Sequence, residues 1–199
     1  MLAAVNAPAE QPIGVVLAGG LGRRIGGAKA VVELAGRPLV SYPVQALQGA
    51  LKEVRVLIKP GMAVPAMAGV QTWTEPAQPH HPLTGIVYAL RLAAPRSVVI
   101  CAADMPFVSP ATISTLAGAL PGDAPAVVAA REGRLEPLLG HYRPRAAELL
   151  EPAARESRQP LRAAVAAIGP RLVELDPEQL FNINTPQDLA RAEAILSRR

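Results

Sequence analysis

The sequence predicts one three-layer α/β/α domain built on a mostly parallel central sheet. Three observations point there. Short aliphatic runs alternate with helically spaced segments through the first half of the chain, the pattern of strands linked by right-handed crossovers. Half of the 199 residues are hydrophobic but only 3% are aromatic, so the core must come from Ala, Val, Leu and Ile, as suits strands buried on both faces. The first apolar run opens straight into a glycine-rich loop, and in such sheets ligands gather beyond the C-terminal ends of the strands.

The elements come in order. Residues 1–11 read as a flexible N-terminal tail of the single domain 1–199, and they lack the basic-then-apolar pattern of a signal peptide. Residues 13–17 are a continuous apolar run, read as a buried parallel strand. Residues 38–51 have helical spacing with Pro38 in the first turn. Residues 54–58 form the next strand, stopped by Lys59-Pro60-Gly61. A helix over 83–93, a strand over 97–102 and a helix from Ser109 or Pro110 to 120, with Ser109 as its cap, complete the alternation. Beyond it, strands are expected at 126–130 and 138–142, joined by a hairpin through Arg131-Glu132-Gly133-Arg134. Helices are expected at 145–155 and 160–168, with a short strand at 171–175. Thr185-Pro186-Gln187-Asp188 opens the last helix with a cap, a first-position proline and an acid in the first turn.

Composition narrows the function. The net charge of +4 suits an anionic partner or simply a solvated surface. No Lys/Arg block exceeds a pair and aromatics for base stacking are scarce, so nucleic acid is not the expected partner. A small phosphorylated ligand is the more economical reading. One cysteine, Cys101, excludes an internal disulfide and a cysteine-based zinc cluster, and fits a reducing cytoplasmic setting. No apolar stretch reaches membrane-spanning length, so no membrane is expected. The 21 prolines are spread along the chain and mark turns and helix starts.

The loop after the first strand carries the chemistry. Five glycines lie between Gly19 and Gly27, with Arg23, Arg24 and Lys29 among or just beyond them. Glycine lets backbone N–H groups approach a ligand closely, and successive N–H groups form an anion nest. Arg adds bidentate phosphate contacts and Lys a point charge. The loop is no P-loop, because Lys29 is flanked by Ala28 and Ala30 rather than by Gly and Ser/Thr. Nor is it a dinucleotide fingerprint, because Gly20, Gly22 and Gly26 are one residue too widely spaced and Glu33 comes too soon.

Other candidates have two readings each. Asp104, the first acid after a long apolar run, is either a Mg²⁺ ligand facing the loop or a cap for the Pro106 to Pro110 segment. Asn182 and Asn184 alternate, so both face one side of an extended segment. They suit recognition of a pterin or phosphate, or else an Asx turn before the helix cap. His80 and His81 have no third ligand nearby, His141 reads as a packed histidine and Cys101 as a small core residue. Arg134 and Glu136 fit either the acceptor side of a site or a hairpin surface pair.

Taken together, Leu17-Ala18-Gly19-Gly20, Arg23-Arg24-Ile25-Gly26, Lys29 and Gly36-Arg37-Pro38-Leu39 resemble the signature of the MobA family. These are molybdenum cofactor guanylyltransferases of the nucleotidyltransferase type. The resemblance continues through Pro82-Leu83-Thr84-Gly85, Ala103-Asp104-Met105-Pro106, Glu136-Pro137-Leu138 and residues 181–189, nearly the whole chain in the family's order. It implies a Rossmann-like fold and transfer of GMP from GTP to molybdopterin with release of pyrophosphate.

The resemblance also implies roles. Arg24, Lys29, Asp104 and Asn184 would be catalytic, with Asp104 holding Mg²⁺. Leu17, Ala18, Gly19, Gly20, Lys29, Lys59, Glu75 and Asp104 would bind the nucleotide, and Asn182 and Asn184 the acceptor. Molybdoenzymes or cofactor-delivery proteins would be further partners. Four positions depart from the pattern. Ala28 stands where relatives often have Asp, Lys59 where many have Asn, Glu75 where an Asp is usual, and His81 where Gly is usual. Two alternatives remain open: a cytidylyltransferase or sugar- or polyol-phosphate nucleotidyltransferase of the same fold, and a non-catalytic nucleotide- or cofactor-binding protein. Leu-Ala-Gly-Gly favours guanine and the asparagine pair favours the pterin.

Overall fold

The computed structural model describes residues 11–20, 29–119, 122–156 and 159–198, with the side chain of Lys29 outside that set. A seven-stranded sheet forms the middle layer. Strand β1 (Ile13–Leu17) lies between β4 (Val54–Ile58) and β6 (Val98–Ala102), parallel to both. Strand β5 (Val70–Thr74) extends the parallel set beyond β4. Strand β8 (Arg134–Tyr142) runs antiparallel to β6 and to β7 (Ala126–Arg131), and β9 (Arg171–Glu174) pairs in parallel with β7. The order across the sheet is β5-β4-β1-β6-β8-β7-β9.

Alternation along the strands divides the core. In β1, Val16 faces the layer of α1 (Ser41–Gln48) and α3 (Pro110–Gly118), together with Leu47, Val56, Val99, Ile113 and Leu116. Ile13 and Val15 face the layer of α2 (Pro82–Ala93), α4 (Arg145–Glu156) and α5 (Leu161–Ala167), packing with Ile86, Leu90, Leu150 and Val165. Both faces of β1 are thus removed from water, which is why it reads as an unbroken apolar run. A third cluster of Leu34, Leu39, Phe107, Ile183 and Ala192 fixes α6 (Pro186–Leu196) at the C-terminal end of the sheet.

The structure departs from the sequence reading in several places. The helix expected over 38–51 begins only at Ser41, because Pro38 belongs to a two-residue ladder of β2 (Glu33–Leu34) and β3 (Arg37–Pro38). Ala35 and Gly36 make its tight turn with φ of 48° and 73°, the left-handed pair that hairpins of this length need. Strand β5 was not expected. It is an edge strand whose Gln71, Thr72 and Thr74 are exposed, so it lacks the apolar run that marks its neighbours. Strand β8 starts four residues earlier than expected and contains Pro137, which forms no ladder bond. The pairing with β7 breaks between Glu136 and Gly140, leaving room for the proline in the irregularity. Helix α3 stops at Gly118 rather than at 120.

The expected tail, 1–10, lies outside the described residues, but Gln11 does not hang free: its carbonyl accepts from the Arg96 guanidinium at 2.7 and 3.0 Å. The hairpin at Glu132-Gly133 is present, and the Glu174 carboxylate accepts from both of its amides at 2.8 and 2.9 Å. Cys101 is fully buried, and burial pushes its thiol pKa far up. His141 is buried against Ser97, with 2.8 Å between Nε2 and Oγ, and burial lowers its pKa. His81 caps α2, its Nδ1 accepting from the Leu83 amide at 3.2 Å. Trp73 sits half-buried on β5, with the Arg55 guanidinium 5.7 Å from its ring centre. No helix among the described residues is long and apolar enough to cross a membrane.

The capping box of α6 carries a prediction. Thr185 accepts from the Asp188 amide at 3.1 Å, and Asp188 Oδ2 accepts from the Asn184 and Thr185 amides at 3.0 and 2.9 Å. Burial alone would raise the Asp188 pKa, but the Asn184 amide and the Thr185 hydroxyl and amide outweigh it and hold it below 3.8. Thr185→Ala should cost about 1 kcal/mol, read as a fall of about 2–4 °C in Tm. A carboxylate with a depressed folded pKa stabilises above its unfolded value and loses that contribution as pH falls. The Tm gap between wild type and Asp188→Asn should therefore be full at neutral pH and close below 3.8.

Candidate functional site

The candidate residues sit where four parallel strands end together. Leu17 is level with Leu57 of β4 and Ala102 of β6, and Ile58 is level with Thr74 of β5. The residues just past these ends are therefore neighbours: Ala18-Gly19-Gly20, Lys59, Glu75 and Ala103-Asp104. Three hydrogen bonds carry the ladder past the strand ends. Ala18 N–H donates to the Leu57 carbonyl at 2.8 Å, Ala103 N–H to the Leu17 carbonyl at 3.1 Å, and Glu75 N–H to the Ile58 carbonyl at 2.9 Å.

Gly19 shows how close the approach is. A Cβ there would lie 2.5 Å from Glu75 Oε1 and 3.2 Å from Lys59 Cγ, so a side chain would have to displace the Glu75 carboxylate, a constraint of contact and not of backbone angle. Glu75 and Lys59 are both buried, with Lys59 Nζ 3.3 Å from Glu75 Oε2. The same ammonium donates to the Pro76 carbonyl at 2.8 Å and to the Pro79 carbonyl at 3.4 Å. Burial raises the Glu75 pKa, and Lys59 opposes that shift. An ammonium has three N–H donors, and here two carbonyls and a carboxylate surround it. Lys59, grouped by sequence with the nucleotide ligands, makes two hydrogen bonds and an ion pair inside the protein. Sequence reading singled out each residue but not the pair, since nothing in their spacing shows that β5 would bring Glu75 beside Lys59.

Asp104 is half-buried at the end of β6. Its main-chain carbonyl accepts from the Ile183 amide at 3.0 Å, which docks the asparagine segment against it. Ile183 is fully buried between the two asparagines, so Asn182 and Asn184 flank an anchor. Asn184 is exposed, and Asn182 is half-buried with its side chain donating to the Leu180 carbonyl at 3.0 Å. Asn182 also lines a cleft of about 910 Å³ with Arg131, Arg134, Arg162, Phe181 and Arg191. The lining is mixed in charge, since Glu132, Glu136, Asp176 and Glu178 line the same cleft, and the sequence reading already offers Arg134 and Glu136 for the acceptor side. Arg24 and the rest of 21–28 lie outside the described residues, as does the Lys29 side chain; the Lys29 backbone opens a single 3-10 turn, Lys29–Val31.

A sequence model of the MobA-like NTP transferase domain matches residues 14–172. The chain belongs to the MobA-like NTP transferase family, and it is a nucleotidyltransferase. A molybdenum cofactor guanylyltransferase of Cereibacter sphaeroides is 35% identical over 190 residues, covering 92% of this chain and 96% of that protein. A probable molybdenum cofactor guanylyltransferase of Bacillus licheniformis is 30% identical over 190 residues, covering 91% and 96%. Among solved structures, molybdopterin-guanine dinucleotide biosynthesis protein A of Archaeoglobus fulgidus superposes with a TM-score of 0.76 at 26% identity, covering 94% of this chain and all of that one. The family's fold, a mostly parallel sheet between helical layers, is the one predicted from sequence.

Because the asparagine segment is docked through the Asp104 main chain, removing the Asp104 side chain should leave that dock in place. In hydrogen exchange, Asp104→Ala should keep the Ile183 amide protected to within a few-fold of wild type. Loss of that protection would show that the carboxylate itself holds the segment.

Proposed function

We infer that the chain transfers GMP from GTP to molybdopterin, in free or molybdenum-loaded form, releasing pyrophosphate. The observation that carries this reading is the convergence of the Leu17–Gly20 backbone, Glu75 and Asp104 at adjoining strand ends, with Asn182 and Asn184 docked on Asp104. The names of relatives matched over almost their whole length support the choice of guanine and pterin.

In this reading one domain carries both half-sites. The Leu17–Gly20 backbone meets the nucleotide's base, with Glu75 at its edge. Arg24 and Lys29 bind the β- and γ-phosphates, and Asn182 and Asn184 place the acceptor. The acceptor phosphate attacks the α-phosphorus in line, the bond to the β-phosphate oxygen breaks, and pyrophosphate leaves with the electron pair. The protein's work is alignment of two anions and stabilisation of charge on the leaving group.

Asp104 also fits a role toward Mg²⁺. Among the described residues no three His, Cys, Asp or Glu side chains cluster as a metal site. A single half-buried carboxylate suits a cation that keeps its waters and takes its other ligands from phosphate oxygens. The ion supplies charge neutralisation across the phosphates when bound.

The test incubates the protein with a nucleotide panel, Mg²⁺ and molybdopterin, and follows pyrophosphate and dinucleotide. GTP should be the preferred donor, and Asp104→Ala or Lys29→Ala should each lower turnover by about 10²-fold with the fold intact. Preference for CTP, or near-normal turnover in both variants, would refute the assignment. A chelator should abolish turnover, and added Mg²⁺ should restore it.

A further inference from the structure

The transfer as proposed assigns no step to the Lys59–Glu75 pair. Both side chains are among the few buried charged groups of the described residues. Burying two charges is costly unless each finds partners. Lys59 finds them, with Glu75 Oε2 at 3.3 Å and the Pro76 and Pro79 carbonyls at 2.8 and 3.4 Å. Those carbonyls belong to the segment that leads from β5 into α2. Glu75 has Lys59 as its ion-pair partner, but Oε2 makes no hydrogen bond of good geometry. Its other oxygen, Oε1, fills the space beside Gly19 that a methyl group would need. The lysine therefore ties the end of β4 to the 76–79 segment that precedes α2, and the carboxylate it holds lies beside Gly19. Two of the lysine's three N–H groups are taken by main-chain carbonyls and its ammonium lies against a buried carboxylate, so its polar contacts are within the protein.

We propose that Lys59 is a positioning residue, acting through Glu75 and the 76–79 carbonyls to fix the seat on which the Leu17–Gly20 backbone meets the nucleotide. This rests on the reading of that backbone as a nucleotide site. A seat used alike by bound substrate and transition state provides uniform binding, so its loss raises KM and spares kcat. A Cβ added at Gly19 would meet the same carboxylate, 2.5 Å from Oε1. A methyl group there pushes on the seat that Lys59 holds, so the two perturbations act on one contact and are not independent.

The experiment measures GTP kinetics with Mg²⁺ and molybdopterin, and GTP binding by calorimetry. It compares wild type, Lys59→Met, Gly19→Ala and the double variant. Lys59→Met should raise the KM and Kd for GTP by about tenfold or more, changing kcat by less than about threefold and leaving the acceptor KM alone. Gly19→Ala should act likewise, and the double variant should match the larger single effect instead of their product, about a hundredfold. If Lys59→Met is unfolded at the assay temperature, Lys59→Gln takes its place in the same cycle with the same expectation. An unchanged GTP KM in the folded variant, a loss confined to kcat, or multiplicative effects in the double variant overturns the proposal. If wild type itself binds no GTP, the functional reading fails and the proposal with it. Normal wild-type binding with an indifferent Lys59 overturns the positioning role alone.

Discussion

Strand β1 imposes the constraint on which the rest depends. It is hydrogen-bonded in parallel on both sides and buried on both faces. A strand so enclosed has no freedom to shift register, because a slip of one residue would turn Val15 and Val16 to opposite layers. Its end point is therefore fixed, and so is the start of the glycine loop. The neighbours inherit this precision: Leu57 and Ala102 are level with Leu17, and the residues after them arrive at the same edge. The candidate site is built from strand ends rather than from side chains reaching across a cavity.

The two halves of the site reach that edge by different routes. The donor half comes from consecutive crossover units, each returning to the same end of the sheet. The half bearing Asn182 and Asn184 arrives after the reversed strand β8, the hairpin at Glu132-Gly133 and β9. Its final position is set by packing, with Ile183 buried among Leu34, Leu39 and Phe107, and by the Ile183–Asp104 backbone bond. The small β2–β3 hairpin has a role here, since Leu34 belongs to that cluster.

How much of this was legible depends on burial. Strands β1, β4 and β6, enclosed on both faces, announce themselves as aliphatic runs, and capping residues mark α3 and α6. The edge strand β5 does not, because exposure on an edge permits Gln71 and Thr72 where an enclosed strand needs Val or Ile. Missing β5 hides the meeting of Glu75 with Lys59, a contact between residues sixteen apart that exists only through strand pairing. Pro38 misled for a related reason: a proline that suits a helix's first turn equally suits a strand residue whose N–H is not needed. Glycine spacing told what the loop is not, and order along the chain told which family it resembles. The charged residues that line the cleft beside Asn182 come from the β7–β8 hairpin, α5, the segment after β9 and α6, and apart from that hairpin they form no sequence pattern.

The edge position of β5 has an optical consequence. The chain contains one tryptophan, Trp73, and it lies on that strand two residues before Glu75. Tryptophan emission therefore samples the rim of the sheet rather than the aliphatic interior. The interior carries no indole, and its buried aromatic groups are Tyr142 and Phe107. Denaturation followed by tryptophan fluorescence registers the detachment of β5, whereas circular dichroism registers the helices. Coincidence of the two signals is then a direct measure of whether the border strand and the body of the sheet come apart as one cooperative unit.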